Sequence, residues 1–249
     1  MFKVILSLFI LIFSYSGFCC YGQGKISRNT QSSGKNSHTK LNVSGSINGH
    51  DYVDLGLPSG NLWATENIGS TSPTDYGDYF AWAEIFPKEE YSIFTSKSQK
   101  WVFRDLRNDS DRGLYVKAPT DYIIGNPEYD AAKAKWGGNW QLPSKKDFEE
   151  LVSKCKWKKI TIRGKKGFVA IGPNGNKIFF PLAGYMEKAG PVQLKCEELH
   201  GVYWTGDYNE SSDECLSYAF CLYHPQYNKG ITPHTRYCGH NIRPLIIKK

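Results

Sequence analysis

An Asn-Gly turn between two apolar runs commits the second half of this 249-residue chain to antiparallel β structure. Phe168-Val169-Ala170-Ile171 and Lys177-Ile178-Phe179-Phe180 flank Gly172-Pro173-Asn174-Gly175-Asn176. Asn and Gly accept the left-handed backbone that a tight hairpin demands, so the two runs fold back on one another. A second strand pair is expected at Tyr52-Val53-Asp54-Leu55 and Leu62-Trp63-Ala64-Thr65, turning at Pro58-Ser59-Gly60, and a further extended run at Tyr79-Phe80-Ala81-Trp82-Ala83. Later strands are expected over 202–204, 216–223, 235–238 and 242–247.

Helical signals occur in two places. Residues 128–135 are good helix formers, stopped by Trp136-Gly137-Gly138. Ser144 is placed to cap a second helix running to about Lys154, with Phe148, Leu151 and Val152 at helical spacing. Residues 86–125 are mixed in charge and lack periodicity, an excursion of a length that in a compact domain is either functional or floppy. An antiparallel sheet, two helices and long loops define an α+β class.

The N-terminal 50 residues read differently. Lys3, the apolar run from Val4 to Phe13 broken by Ser7, and the small residues Ser14, Ser16 and Gly17 have the form of an export signal over 1–22. Such a run is too short to cross a bilayer. Two fates are open: cleavage after Gly22, giving a soluble exported product, or attachment of lipid at Cys19 or Cys20. The expected location is periplasmic, outer-membrane-associated or extracellular. Residues 23–50, rich in Ser, Asn, Gly, Lys and Thr, read as a disordered polar tether ahead of a folded domain at 51–249.

Net charge depends on this division. The chain holds 31 basic and 24 acidic residues, but five of the bases (Lys3, Lys25, Arg28, Lys35, Lys40) lie in the first 50 positions, where no acidic residue occurs. The domain is therefore almost neutral, which argues against a nucleic-acid partner and leaves a lipid anchor as its only expected link to a membrane. Five cysteines follow the signal, Cys155, Cys196, Cys215, Cys221 and Cys238. A turn at Lys229-Gly230 sets Cys221 opposite Cys238 and makes them the disulfide candidate.

Three stretches carry a family resemblance: Tyr52-Val53-Asp54-Leu55-Gly56-Leu57-Pro58-Ser59-Gly60-Asn61-Leu62-Trp63-Ala64-Thr65, Trp136-Gly137-Gly138-Asn139-Trp140-Gln141-Leu142-Pro143, and Arg236-Tyr237-Cys238-Gly239-His240-Asn241-Ile242-Arg243-Pro244. With Asp75-Tyr76-Gly77-Asp78-Tyr79-Phe80-Ala81-Trp82 and the Asn174 turn, they resemble the Fibrobacter succinogenes major paralogous domain family across nearly all of 51–249. The resemblance implies a C-type-lectin-like fold with paired N- and C-terminal strands and a long loop region on one side. It implies no established activity, and its shared residues look architectural. Trp63, Trp136, Trp140, Trp204 and Arg243 are accordingly read as structural.

Chemistry is sparse in the sequence. Neither Glu-Pro-Asn nor Gln-Pro-Asp is present for a lectin-style calcium site; Asn126-Pro127-Glu128 is the reverse triplet, and Trp204-Thr205-Gly206-Asp207 is a loose echo of the second calcium element. The close pair Cys215 and Cys221 does not match the pattern of the formylglycine-generating enzymes, and no Gly-x-Ser-x-Gly elbow occurs. His234, Cys238 and His240 share a face if that segment is extended, without a fourth ligand fixed by spacing, so neither metal nor cofactor is assigned. Metal-free carbohydrate binding uses flat rings flanked by amides and carboxylates, and Asp207, Tyr208, Asn209, Tyr223, Gln226 and Tyr227 have that chemistry. The expected function is a non-enzymatic, exported or cell-surface binding module for a glycan or envelope protein. The alternative is a structural or assembly component of the cell envelope with no small-molecule ligand.

Overall fold

A computed structural model describes residues 41–92, 94–97, 123–188, 194–208, 216–222 and 230–248, with the backbone alone for 216–222. The export signal, Cys19 and Cys20, and most of the tether lie outside the described residues. The chain runs β1 (Gly45–Ile47), β2 (His50–Asp54), β3 (Leu62–Ala64), α1 (Ala131–Trp136), β4 (Trp140–Gln141), α2 (Lys145–Lys154), β5 (Lys156–Ile162), β6 (Lys165–Ile171), β7 (Lys177–Pro181), β8 (Tyr185–Met186), β9 (Leu194–Lys195), β10 (Gly201–Tyr208), β11 (Leu216–Leu222), β12 (Gly230–Thr235) and β13 (Leu245–Ile246). The class is α+β, with antiparallel sheets and two described helices.

A five-stranded sheet in the order β1-β2-β3-β13-β4 divides the interior. Strand geometry sends successive side chains to opposite faces. Val53, Trp63 and Leu245 therefore enter one apolar cluster, while Tyr52, Leu62, Ala64 and Ile246 join the other. The first cluster is completed by Phe148 and Leu151 of α2 and by Phe168, Ala170, Ile178 and Phe180 of the β5-β6-β7 sheet. The second takes Ala131, Ala132 and Trp136 of α1, Trp140 of β4, Trp204 of β10, and Phe80 and Trp82. The tryptophans are buried as expected, but Trp63 lies in a different cluster from Trp136, Trp140 and Trp204.

The expected pairing of the first and last strands does not form: they share this sheet, but neither β1 nor β2 pairs with the final strand. The final strand pairs with β3 through Leu245↔Trp63 and Ile246↔Leu62, one hairpin in from the first strand, and takes β4 on its other side. Regular structure also starts ahead of residue 51. Asn48 (φ 52) and Gly49 (φ 79) form a left-handed turn that pairs β1 with β2.

Both helices follow from their caps. Asp130 accepts from the backbone N–H groups of Ala132 and Lys133, so α1 starts three residues later than helix-forming composition suggests. The same carboxylate accepts from Gly125 N–H at 2.7 Å and Leu142 N–H at 2.9 Å, tying the loop before α1 to the chain after β4. Ser144 and Asp147 cap α2 reciprocally, as a capping box. The Asn174-Gly175 turn joins β6 to β7 as expected, with Gly175 at φ 85.

Two strand expectations need correction. Within 79–83 only Phe80 pairs, in a single bridge to His240, after which Trp82 and Ala83 turn, with Ala83 at φ 60. Residues 235–238 are not a strand: β12 ends at Thr235, and 236–238 turn away. The next three residues then bridge, Gly239 to Met186, His240 to Phe80 and Asn241 to Tyr203.

Candidate functional site

The closing motif 236–244 is the spine on which the loops hang. Arg243, fully buried, donates from Nε to Asn67 Oδ1 (2.8 Å) and from Nη1 to the carbonyls of Phe179 (3.0 Å), Thr65 (3.2 Å) and Ala64 (3.4 Å), with its guanidinium 4.6 Å from the Phe180 ring centroid. Phe179 lies on β7, the edge of its sheet, and Ala64 on β3, so one side chain joins two sheets. Burial pulls the Arg243 pKa down to about 10, opposed by Tyr203 and Glu66, and the group stays cationic at neutral pH. Asn241 Nδ2 donates to the Tyr76 and Asp78 carbonyls, and Asn67 Nδ2 also donates to Tyr76, fixing the 67–78 loop.

Sequence candidates around β10 are occupied by architecture. Asp207 Oδ2 accepts the Lys145 backbone N–H at the start of α2, and burial raises its pKa. The Arg236 guanidinium lies 4.4 Å from the Tyr208 ring centroid and 4.9 Å from that of Trp82, so Tyr208 is one wall of a buried cation–aromatic stack. Trp82 Nε1 donates to the Thr205 carbonyl, and Trp204 Nε1 donates to Phe80, which cross-links this stack to the 80–86 loop. Asn209, Tyr223, Gln226 and Tyr227 lie outside the described residues.

The cysteine pairing is corrected by register. Across β11 and β12, Cys221 faces Gly230 rather than Cys238, because β12 already begins where the two-residue turn was expected. Cys155, Cys196 and Cys238 are thiols rather than half-cystines, and the Cys238 Sγ lies 2.9 Å from Thr235 Oγ1.

The histidines expected on one strand face meet by another route. The His234 and His240 ring centroids are 4.8 Å apart, edge to face, and His240 also lies 4.2 Å from Trp204. Burial lowers His234 to about 4, opposed by Glu187, and burial, with His234 beside it, also holds His240 well below its ordinary value. Glu187 is itself buried, is raised by that burial, and accepts from Tyr237 Oη at 3.1 Å. Neither ring nitrogen of His240 meets a hydrogen-bond partner among the described residues. His240 is fully buried, whereas His234, on β12 beside the exposed Pro233, is only half-buried. Among the described residues no group of three or more His, Cys, Asp or Glu is arranged to hold a metal.

An open groove of about 230 Å³ lies beside the Trp82 stack, lined by Ala83, Glu84, Ile85, Phe86, Lys97, Glu128 and Tyr129. It is built by a sharp backbone reversal. The Trp82 N–H bonds to the Arg236 carbonyl, and the left-handed Ala83 then redirects the chain, leaving Glu84 only 5% exposed and Phe86 63% exposed. Left-handed backbone at a non-glycine residue costs about 1–2 kcal/mol, and such strain clusters at ligand sites. Lys135 Nζ lies 5.4 Å from the Phe86 ring centroid, within cation–π range.

No protein-family model, curated protein or solved structure matches this chain. The groove residues themselves therefore carry the functional reading. None of them was singled out as a site in the sequence, although the 86–125 excursion and Asn126-Pro127-Glu128 both border it. The available signal was Glu84, a carboxylate set between Trp82 and the apolar pair Ile85-Phe86.

Proposed function

We propose that this protein is an exported, cell-surface binding module of C-type-lectin-like architecture, taking a glycan or a surface protein without covalent chemistry. The single observation that carries the reading is the groove: an exposed aromatic ring, a half-buried Tyr129 and carboxylates at floor and rim, on a loop braced by a buried stack. Ligand pockets combine apolar walls with a few fixed polar groups in this manner. The motifs that resemble the Fibrobacter succinogenes major paralogous domain family support the architecture. Their residues Arg243, Asn241, Trp63 and Trp140 are buried, as shared architectural residues should be.

One observation favours the alternative, an envelope component without a small ligand. Tyr208, the described member of the expected aromatic face, is spent on Arg236. A glycan array and a pull-down from native bacterial envelope with the purified mature chain separate the two. Glycan binding, or protein capture that Phe86→Ala abolishes, supports a groove-based module. Protein capture unaffected by Phe86→Ala supports the assembly role, and a lipid on Cys19 or Cys20 in the mass of the mature chain supports surface anchoring.

A further inference from the structure

The floor of the groove holds a buried carboxylate, Glu84, one oxygen of which has no protein partner among the described residues. Glu84 is 95% buried, given its 5% exposure, and both of its hydrogen bonds end on Oε1, from Lys88 Nζ and from the Lys97 backbone N–H, each at 2.9 Å. Oε2 accepts no hydrogen bond among the described residues, although Glu84 lines the groove. Oε2 is thus the carboxylate oxygen left open to the groove, where a ligand hydroxyl can donate to it in place of water.

We propose that this groove is a metal-independent subsite for one neutral sugar ring, with Glu84 Oε2 accepting sugar hydroxyl hydrogens and Phe86 stacking against the apolar face of the ring. The proposal rests on the binding-module reading and names its ligand class. Size favours a single ring, since about 230 Å³ lies below the roughly 300 Å³ at which drug-sized pockets begin. Charge favours neutrality. A ligand anion meets the unpartnered Glu84 oxygen and Glu128. A ligand ammonium meets Lys97 on the rim, Lys135 over Phe86, and a Glu84 already paired with Lys88. Hydroxyl groups suit both signs, donating to Glu84 and Glu128 and accepting from Lys97. The exposed face of Phe86 and the Tyr129 ring supply the hydrophobic contact that a pyranose C–H face needs.

Saturation-transfer NMR on the purified mature chain in EDTA tests this with the methyl pyranosides of glucose, galactose, mannose and fucose, and with choline and N-acetylneuraminate as charged comparators. At least one neutral glycoside is expected to bind and both comparators to fail. Glu84→Gln keeps the shape but weakens the acceptor, and is expected to lower affinity about tenfold, the effect of losing one charge-assisted hydrogen bond. Phe86→Ala, at an exposed position that leaves the fold intact, is expected to lower it at least about fivefold. Failure of all four glycosides, preference for choline or N-acetylneuraminate, or binding unchanged in both variants overturns the subsite. A glycan or protein captured by the whole chain in the array or pull-down survives that failure, so the loss of the subsite is distinguishable from the loss of the module.

Discussion

Replacing Arg243 tests whether one guanidinium holds two sheets together. Its Nε bond to Asn67 (2.8 Å) and Nη1 bond to Phe179 (3.0 Å) are full-strength contacts; the longer approaches to Thr65 and Ala64 share Nη1 and amount to one more. Hydrogen bonds to a charged group contribute about 1.5–3 kcal/mol each, whereas removing the cation relieves several kcal/mol of desolvation. Arg243→Met is therefore expected to cost about 2–4 kcal/mol net, and Arg243→Lys at least as much, because the charge stays buried while the planar fork is lost. For a domain of this size that lowers Tm by roughly 5–15 °C. Thermal melts followed by tryptophan fluorescence and near-ultraviolet circular dichroism, with guanidinium titration, read the change. If Arg243→Met melts within about 2 °C of the parent, or Arg243→Lys is fully tolerated, the bridging role assigned to the fork is wrong.

Asp130→Asn replaces one carboxylate oxygen, which accepts two of the four backbone N–H bonds, with a donor that opposes both, and is expected to cost about 2–4 kcal/mol in urea titrations, with a loss under 1 kcal/mol contradicting the pinning role. Gly172→Ala drives a methyl group into the Leu55 carbonyl, so it should destabilise by more than about 2 kcal/mol, whereas Gly230→Ala meets nothing within 4 Å and should be close to neutral; equal effects would refute the steric account. Burial depresses His234 from 6.5 to about 4 and holds His240 well below its ordinary value, so both remain neutral in the folded chain at mildly acidic pH while the unfolded chain binds protons. Their stabilisation is complete above about pH 7 and is lost as pH falls through 6.5, with the His234 share reaching roughly 3 kcal/mol near pH 4. The urea midpoint should fall between pH 7 and 5 and fall less in His234→Gln; parallel profiles would show that this ring is not the sensitive group.

Local chemistry made much of the fold readable. The Asn174-Gly175 hairpin and the Ser144 cap depend on residues within a few positions of each other, and both occur as expected. The same kind of signal at Asn48-Gly49 is weak in the sequence because β1 (Gly45–Ile47) has a single large apolar residue to mark it as a strand. β5 (Lys156–Ile162) was likewise not resolved, although Arg163 and Gly164, both left-handed, form a two-residue turn into β6. Where tertiary contacts decide, periodicity failed. The 235–238 run looks extended in isolation, yet its backbone turns because 239–241 must bridge Met186, Phe80 and Tyr203. For the same reason Tyr208 read as a free stacking surface: nothing local predicts that Arg236, 28 positions away by number, covers it.

The site and the resemblance-bearing motif are linked by this tertiary logic. Residues 236–244 grip the 80–86 loop at three points: the Arg236 carbonyl on Trp82 N–H, the His240 bridge to Phe80, and the Arg236 side chain over the Trp82 ring. Trp204 adds a fourth through the Phe80 carbonyl. The groove begins at the next residue, Ala83, so its floor is fixed to the most buried part of the domain while Phe86 projects outward. Recognition sites gain precision when the rigid scaffold ends just before the contacting side chains. On that logic the motif 236–244 can be wholly architectural and still determine function, because it sets where Glu84 sits without touching a ligand. Under the proposed binding role, variation at 84–86, 97 and 128–129 is expected to alter what is bound while leaving the spine unchanged, as when one fold carries different specificities on the same frame.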